Sequence, residues 1–291
     1  MAVDKEQTEK ELLKPLTRKM QEFLRKLKRL FRGTSEKILS KLTALFVKLD
    51  KGREISIADA NRSNDLSQIK KDITSLITAL SAKVKTAVLD FLNETYESSY
   101  NWLMLGILSA VGFKLSRSSK GKLPVTWAAP ASISQTITSK NMLKAIETDR
   151  KKTVQKINHT IERGFIERKR FVQVAKELEA DVGVSYNRAQ RIARTEMHRV
   201  REKATLDAAT KADSNGIAMK KIWHNMGDER VREGRNADHV HLEGQARFVN
   251  ELFDLGQDKN GKSVRAPAPG QSGDPSNDIN CRCFATYEPV L

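Results

Sequence analysis

The stretch Ala189-Gln190-Arg191-Ile192-Ala193-Arg194-Thr195-Glu196-Met197-His198-Arg199-Val200 decides how the chain is read. Ala189, Ile192, Ala193, Met197, Val200 and, further on, Ala204 recur at steps of three and four, the period of one helical face. Ser185 is a good N-cap residue, so a helix is expected from there to about Lys211. Glu196 stands at the edge of the apolar stripe, which predicts a half-buried carboxylate in need of a cation. Arg194 and Arg199 fall on other faces of that helix.

Upstream, the pattern stays helical. One segment is expected over Asn141 to Arg163, ending at Gly164, and another over Arg170 to Ala180, stopping at Val182-Gly183. Nearer the N-terminus, Leu16, Met20, Phe23, Leu27 and Leu30 alternate steps of four and three between lysines and arginines. Gly33-Thr34-Ser35 reads as a C-terminal glycine followed by a new N-cap, and Ile38, Leu42, Leu45 and Leu49 repeat the spacing until Gly52, so a helical hairpin is expected. After a polar stretch over residues 53–64, Asn64 or Asp65 caps a third long helix through Ile69, Ile73, Leu76, Leu80, Val84, Ala87 and Phe91. The run Trp102 to Phe113 is apolar on every side and reads as a separate buried helix or an oligomer contact. Lys114 to Ser134 is a linker by composition, and a domain boundary is placed there.

Downstream of Gly216 the periodicity changes. Met219 to Asn225, Arg247 to Val249 and Cys283 to Tyr287 read as short strands, and Asp254 to Asp278 as a long Gly/Pro/Ser-rich loop. The expected fold is α+β: predominantly helical N-terminal and middle regions, residues 1–130 and 131–215, followed by a small α+β module over residues 216–291.

A chain of 291 residues can bury a sizeable core without disulfide staples. Its formal charge of +16 points to polyanionic partners, nucleic acid first and anionic membrane second. The Met1 region is charged throughout and does not read as a secretory signal, and the longest apolar run is too short to span a bilayer. No repeat of fixed period is visible.

Both cysteines lie in Asn280-Cys281-Arg282-Cys283-Phe284. One residue apart, they make a poor disulfide and close almost no loop. On a strand they face the same way, giving two thiolates with a narrow bite; His239 is a candidate third ligand and His241 a candidate fourth. Two readings stand, a structural zinc and a reduced pair packed in the core.

The ordered set of Ala189 to Arg199, Trp223, Asp228-Glu-Arg-Val-Arg232, His239-Val-His-Leu-Glu-Gly244 and Asn280-Cys-Arg-Cys283 resembles the phage Mu F-like family of minor head (head morphogenesis) proteins. The resemblance covers about residues 140–291. Matching motif positions are Arg194, Thr195, Glu196, Trp223, Asp228, Arg230, Arg232, His239, Gly244, Asn280, Cys281 and Cys283. Many relatives carry a histidine where this chain has Asp278, two residues before the asparagine, so that either Asp278 serves as an oxygen ligand or the site is degraded. The resemblance implies a structural role in the procapsid of a tailed phage: a virion protein of the head interior or portal vertex, in the host cytoplasm during assembly, oligomeric, and in contact with portal protein and major capsid or scaffold protein. No catalytic residues come with it. Arg230 and Arg232 are expected to pair with Glu196 and Asp228 in a buried network.

Two other functions are weighed. The basic helices fit non-specific contacts to double-stranded DNA, as in an internal head protein ejected with the genome. His224, Asp228, Arg232, His239 and His241 are residue types used by nucleases and nucleotide transferases. Against an enzyme, the chain has no Gly-rich phosphate loop, no HExxH and no nucleophile signature, so non-enzymatic function is expected.

Overall fold

The leucine stripe of the N-terminal region crosses Gly33 without losing phase. Phe23, Leu27, Phe31, Ile38, Leu42 and Leu45 are all buried, and the step across Gly33, from Phe31 to Ile38, is one whole seven-residue repeat. In the computed structural model, which describes residues 5–49, 64–113, 123–124, 127–130, 133–229, 231–234, 237–258 and 260–290, helix α1 therefore runs unbroken over Lys5–Leu49. The expected hairpin is corrected: a lone glycine weakens a helix by about 1 kcal/mol and cannot stop one whose apolar face continues. Residues 50–63 and most of the linker lie outside the described residues.

Helix α2, Asp65–Ala110, also absorbs what read as two elements. Within the apolar run only one face is buried, by Leu103, Met104, Ile107 and Leu108; Trp102 and Phe113 are exposed. After the single turn α3, Ser134–Ile137, comes α4, Lys140–Ile166, capped by the Ser139 hydroxyl, which accepts from the Met142 amide. Gly164 lies inside α4. A Cβ there would stand 2.6 Å from Val174 Cγ2, so close packing and not helix termination explains the glycine.

Helix α5 spans Phe171–Ser214 without the stop expected at Val182-Gly183. Ser185 is no cap; its hydroxyl donates to the Asp149 carboxylate at 2.5 Å, and Arg188 pairs with the same carboxylate at 3.1 Å. A side chain that found a tertiary partner was free of the backbone role its type suggested.

Two compact units result, residues 21–90 with 138–193, and residues 1–20, 91–137 and 194–291. In the first, Phe31, Ile77, Val84, Ile146 and Ile192 bring α1, α2, α4 and α5 around one small cavity. In the second, the Tyr96 hydroxyl donates to Asp207 at 2.8 Å, joining α2 to α5.

The second unit also holds the sheets. Strand β1, Met219–His224, lies between β2, Ala246–Phe248, and β5, Phe284–Pro289, both antiparallel to it. Trp223 faces Ala285 and His224 faces Phe284 across that pairing. The stretch expected as a bare loop holds a hairpin, β3 (Phe253–Gln257) with β4 (Ser263–Ala266), and the turn α6, Pro275–Asp278. Its strands alternate buried and exposed residues over only four or five positions, too few to stand out among glycines and prolines. Among the described residues no helix is long and apolar enough to cross a membrane. The α+β class holds.

Candidate metal centre

The core of the C-terminal module is built by Trp223, Leu242, Phe253, Leu255, Val264 and Ala266 together with Cys281 and Cys283. The cysteines reach it from the turn between α6 and β5. Asn280 makes this approach by adopting φ 57°, the left-handed conformation that asparagine tolerates better than most residues. His239 comes from the opposite loop. Its amide donates to the Arg232 carbonyl at 2.8 Å, its carbonyl accepts from the Asn225 side chain at 3.2 Å, and its ring meets Trp223 edge to face at 5.7 Å.

His239 Nδ1 then lies 3.4 Å from Cys283 Sγ and 3.7 Å from Cys281 Sγ. All three side chains are buried and their donor atoms lie within 4.8 Å of one another. The ring's tautomer is fixed from behind. Asn277 sends its amide hydrogen to Asp274 Oδ2 at 2.8 Å, which turns its Oδ1 towards His239 Nε2 at 3.0 Å. The hydrogen therefore sits on Nε2, and Nδ1 presents a bare lone pair to the two sulfurs.

That arrangement fits a metal. With Zn–S of about 2.3 Å and Zn–N of about 2.0–2.1 Å, a tetrahedral angle puts sulfur and nitrogen about 3.6 Å apart, between the two observed separations. Asn277 fills the place of the outer hydrogen-bond acceptor that orients a metal-bound histidine. The thiols are electrostatically uneven. Cys281 is held well below the usual thiol range, first by the hydrogen it accepts from Cys283 and then by His198, while Cys283, giving that hydrogen from a buried position, is pushed up. Burial opposes the charged form of His239, yet Cys281 and Asn277 raise its pKa on balance. Burial also raises Asp278, although Ser272 and Gly273 donate to its carboxylate.

His241 is not brought to this cluster, which corrects its place as fourth ligand. It lies on the outside of the loop, with Nε2 3.1 Å from the Asp254 carbonyl. Two residues along an irregular loop do not share a face as they would on a strand. Glu196 is more buried than expected, and Arg199 does not point away: its Nε donates to Glu196 Oε2 at 2.7 Å and its other nitrogens to the carbonyls of Thr136 and Ile137. Asp228 pairs with Arg282, and Arg232 donates to the Ile279 carbonyl. Arg230 lies outside the described residues. Gly244, at φ 73°, turns its amide to the Trp223 carbonyl at 2.8 Å. Arg194, Thr195 and Asn280 line a cleft of about 740 Å³ with His198, Arg232, Asp278, Cys281 and Arg282. Of the residues weighed for phosphodiester chemistry, His224 meets Thr286 and Glu243, and His241 lies on the outside of its loop.

Sequence reasoning passed over four buried polar residues that support the centre. Glu202 accepts from Arg201 and from the Ala285 amide, tying α5 to β5; Arg201 Nη2 meets His198 Nδ1 at 3.1 Å. Lys221 sends its ammonium to the carbonyls of Val249, Glu251 and Pro267, and burial lowers its pKa to about 8. Asn277 is the fourth. A signal existed for the helical pair, since Arg201 and Glu202 follow the stripe residue Val200, but nothing local marks a lysine in a charged strand as buried.

Residues 155–286 match the family model described as Phage Mu protein F like protein. Over 288 residues the chain is 27% identical to minor head protein GP7 of Bacillus phage SPP1, covering 97% of this chain and 87% of that protein. Over 154 residues it is 30% identical to the NAD(+)–arginine ADP-ribosyltransferase EFV of Enterococcus faecalis, covering 53% of this chain and 29% of that protein. No solved structure matches it significantly.

Proposed function

We propose, from the match of residues 155–286 to the phage Mu protein F like model, that the chain is a minor head protein with a structural role in head morphogenesis of a tailed phage. The observation that carries this reading is the similarity to the SPP1 minor head protein, which extends well beyond the shared module to 97% of the chain. In this reading the protein sits inside the head or at the portal vertex, reaches it from the host cytoplasm during assembly, and meets portal protein and major capsid or scaffold protein in several copies. Residues 1–130 would supply oligomer or portal contacts, residues 131–215 the helical part of the module and residues 216–291 its α+β part. The test is to purify heads assembled with and without the chain, cross-link them and map contacts by mass spectrometry. Cross-links to portal or capsid protein are expected; normal heads from which the chain is absent would overturn the reading.

The charge of +16 favours one second role, non-specific contact with packaged double-stranded DNA. That binding should weaken steeply with salt. The chain is read as non-enzymatic, and transfer of label from NAD to any protein acceptor would contradict this. The module's cofactor in this reading is a structural zinc on His239, Cys281 and Cys283, which would tie the start of β5 to the His239 loop. Metal analysis of the purified protein tests it, with one zinc per chain expected.

A further inference from the structure

We propose that the metal held by Cys281, Cys283 and His239 keeps an exchangeable fourth position, open to the arginine-lined cleft, where a small anion from solvent binds. This rests on the zinc reading above and goes beyond it, because a purely structural zinc has four protein ligands and a closed shell.

Three of four tetrahedral directions are taken by the two sulfurs and by His239 Nδ1. Among the described residues no further histidine, cysteine or carboxylate atom joins them within 4.8 Å. Two potential ligands share the cleft with Cys281, and both are committed elsewhere. Asp278 accepts the Ser272 amide and hydroxyl on Oδ1 and the Gly273 amide on Oδ2, so it caps the turn before α6. His198 is fixed in the wrong tautomer. The Arg201 guanidinium can only donate, so Nδ1 of His198 accepts and the hydrogen lies on Nε2. That Nε2 is buried, has no nitrogen or oxygen partner and faces the Cys281 sulfur. It offers a hydrogen, not a lone pair.

The direction of the vacancy follows from what surrounds the sulfurs. On one side Cys281 and Cys283 pack into the Trp223, Leu242 and Phe253 core. On the other, Cys281 forms part of the cleft wall, beside His198 and among Arg194, Arg232 and Arg282. Two of these arginines are already engaged, Arg232 with the Ile279 carbonyl and Arg282 with Asp228, which fixes their positive ends along the rim. A metal carrying two thiolates has no net charge, so the arginines supply the attraction for an anion at the fourth site.

Cobalt(II) loaded into the full-length protein in place of zinc reports this directly, since its visible absorption follows coordination number and ligand type. An intense tetrahedral spectrum with thiolate charge-transfer bands is expected. Azide should change the ligand-field bands saturably, and Arg194→Ala should raise the half-saturating azide concentration several-fold while leaving the azide-free spectrum as it was. His198→Gln, which keeps an N–H donor, should also leave that spectrum unchanged. A spectrum indifferent to azide, or one altered by His198→Gln, would mean a closed shell and overturn the inference while leaving the metal site standing. Failure to bind one cobalt per chain would overturn both.

Discussion

Asn277 Oδ1 accepts the Nε2 hydrogen of His239 at 3.0 Å, while the amide end of the same side chain is held by Asp274 at 2.8 Å. One residue in a four-residue turn thus decides which nitrogen of His239 is bare. Asn277→Ala should lower zinc affinity by about ten- to a hundred-fold, the usual effect of losing an outer acceptor, and leave the fold in place. Competition with a chromophoric chelator measures it, and unchanged affinity would remove the tautomer argument.

The pair of Glu196 and Arg199 is mostly out of solvent, and Arg199 also satisfies the last carbonyls of α3. Glu196→Ala leaves a partly buried guanidinium without this counter-charge and should cost about 1–3 kcal/mol in chemical denaturation. A variant as stable as the parent would show that the two backbone carbonyls suffice.

Lys221 holds three carbonyls from two segments, so Lys221→Met should destabilise the module by about 2–4 kcal/mol, leaving those acceptors unpaired. The lysine also sets a pH signature. Its pKa is about 8 when folded against 10.5 ordinarily, so between those values the unfolded chain holds a proton the folded chain has released, and the stability of the parent relative to the methionine variant should rise with pH there. In both chains stability should fall with pH above about 10.5, because burial raises Tyr100 to about 12 and the unfolded tyrosine loses its proton first. A difference between the two chains that stays constant from about pH 8 to 10 would count against the buried lysine.

Gly33 sits within α1, and nothing lies within 4 Å of where its Cβ would be. Gly33→Ala should therefore stabilise the protein by up to about 1 kcal/mol. A hairpin with a left-handed glycine at that point would be destabilised by the same change, so the sign of the melting shift separates the two.

How far the sequence could be read depended on where each residue's partner lay. Long apolar stripes were legible because their period is local, which is why all the long helical tracts were found. Their junctions were not. Gly33, Gly183 and Ser185 carry the chemistry of helix ends, and only the continuing stripe or a partner such as Asp149 shows that no end is there. At the site, the two cysteines and His239 were legible as donor types. His241 was misplaced because its backbone leaves the strand geometry, and Asn277 was invisible because its value lies in two contacts 3 and 38 residues away.

Strand β1 is paired on one side with β2, about 25 residues later, and on the other with β5, about 65 residues later. During synthesis the helices can form as they emerge, since their backbone hydrogen bonds are local, whereas β1 waits with one hydrogen-bonding edge bare until β5 exists. The same late segment delivers both sulfurs. Completion of the sheet and assembly of the donor set are thus a single event in time, and a nascent chain that stalls before it carries an open strand edge and a histidine with nothing to share a metal with.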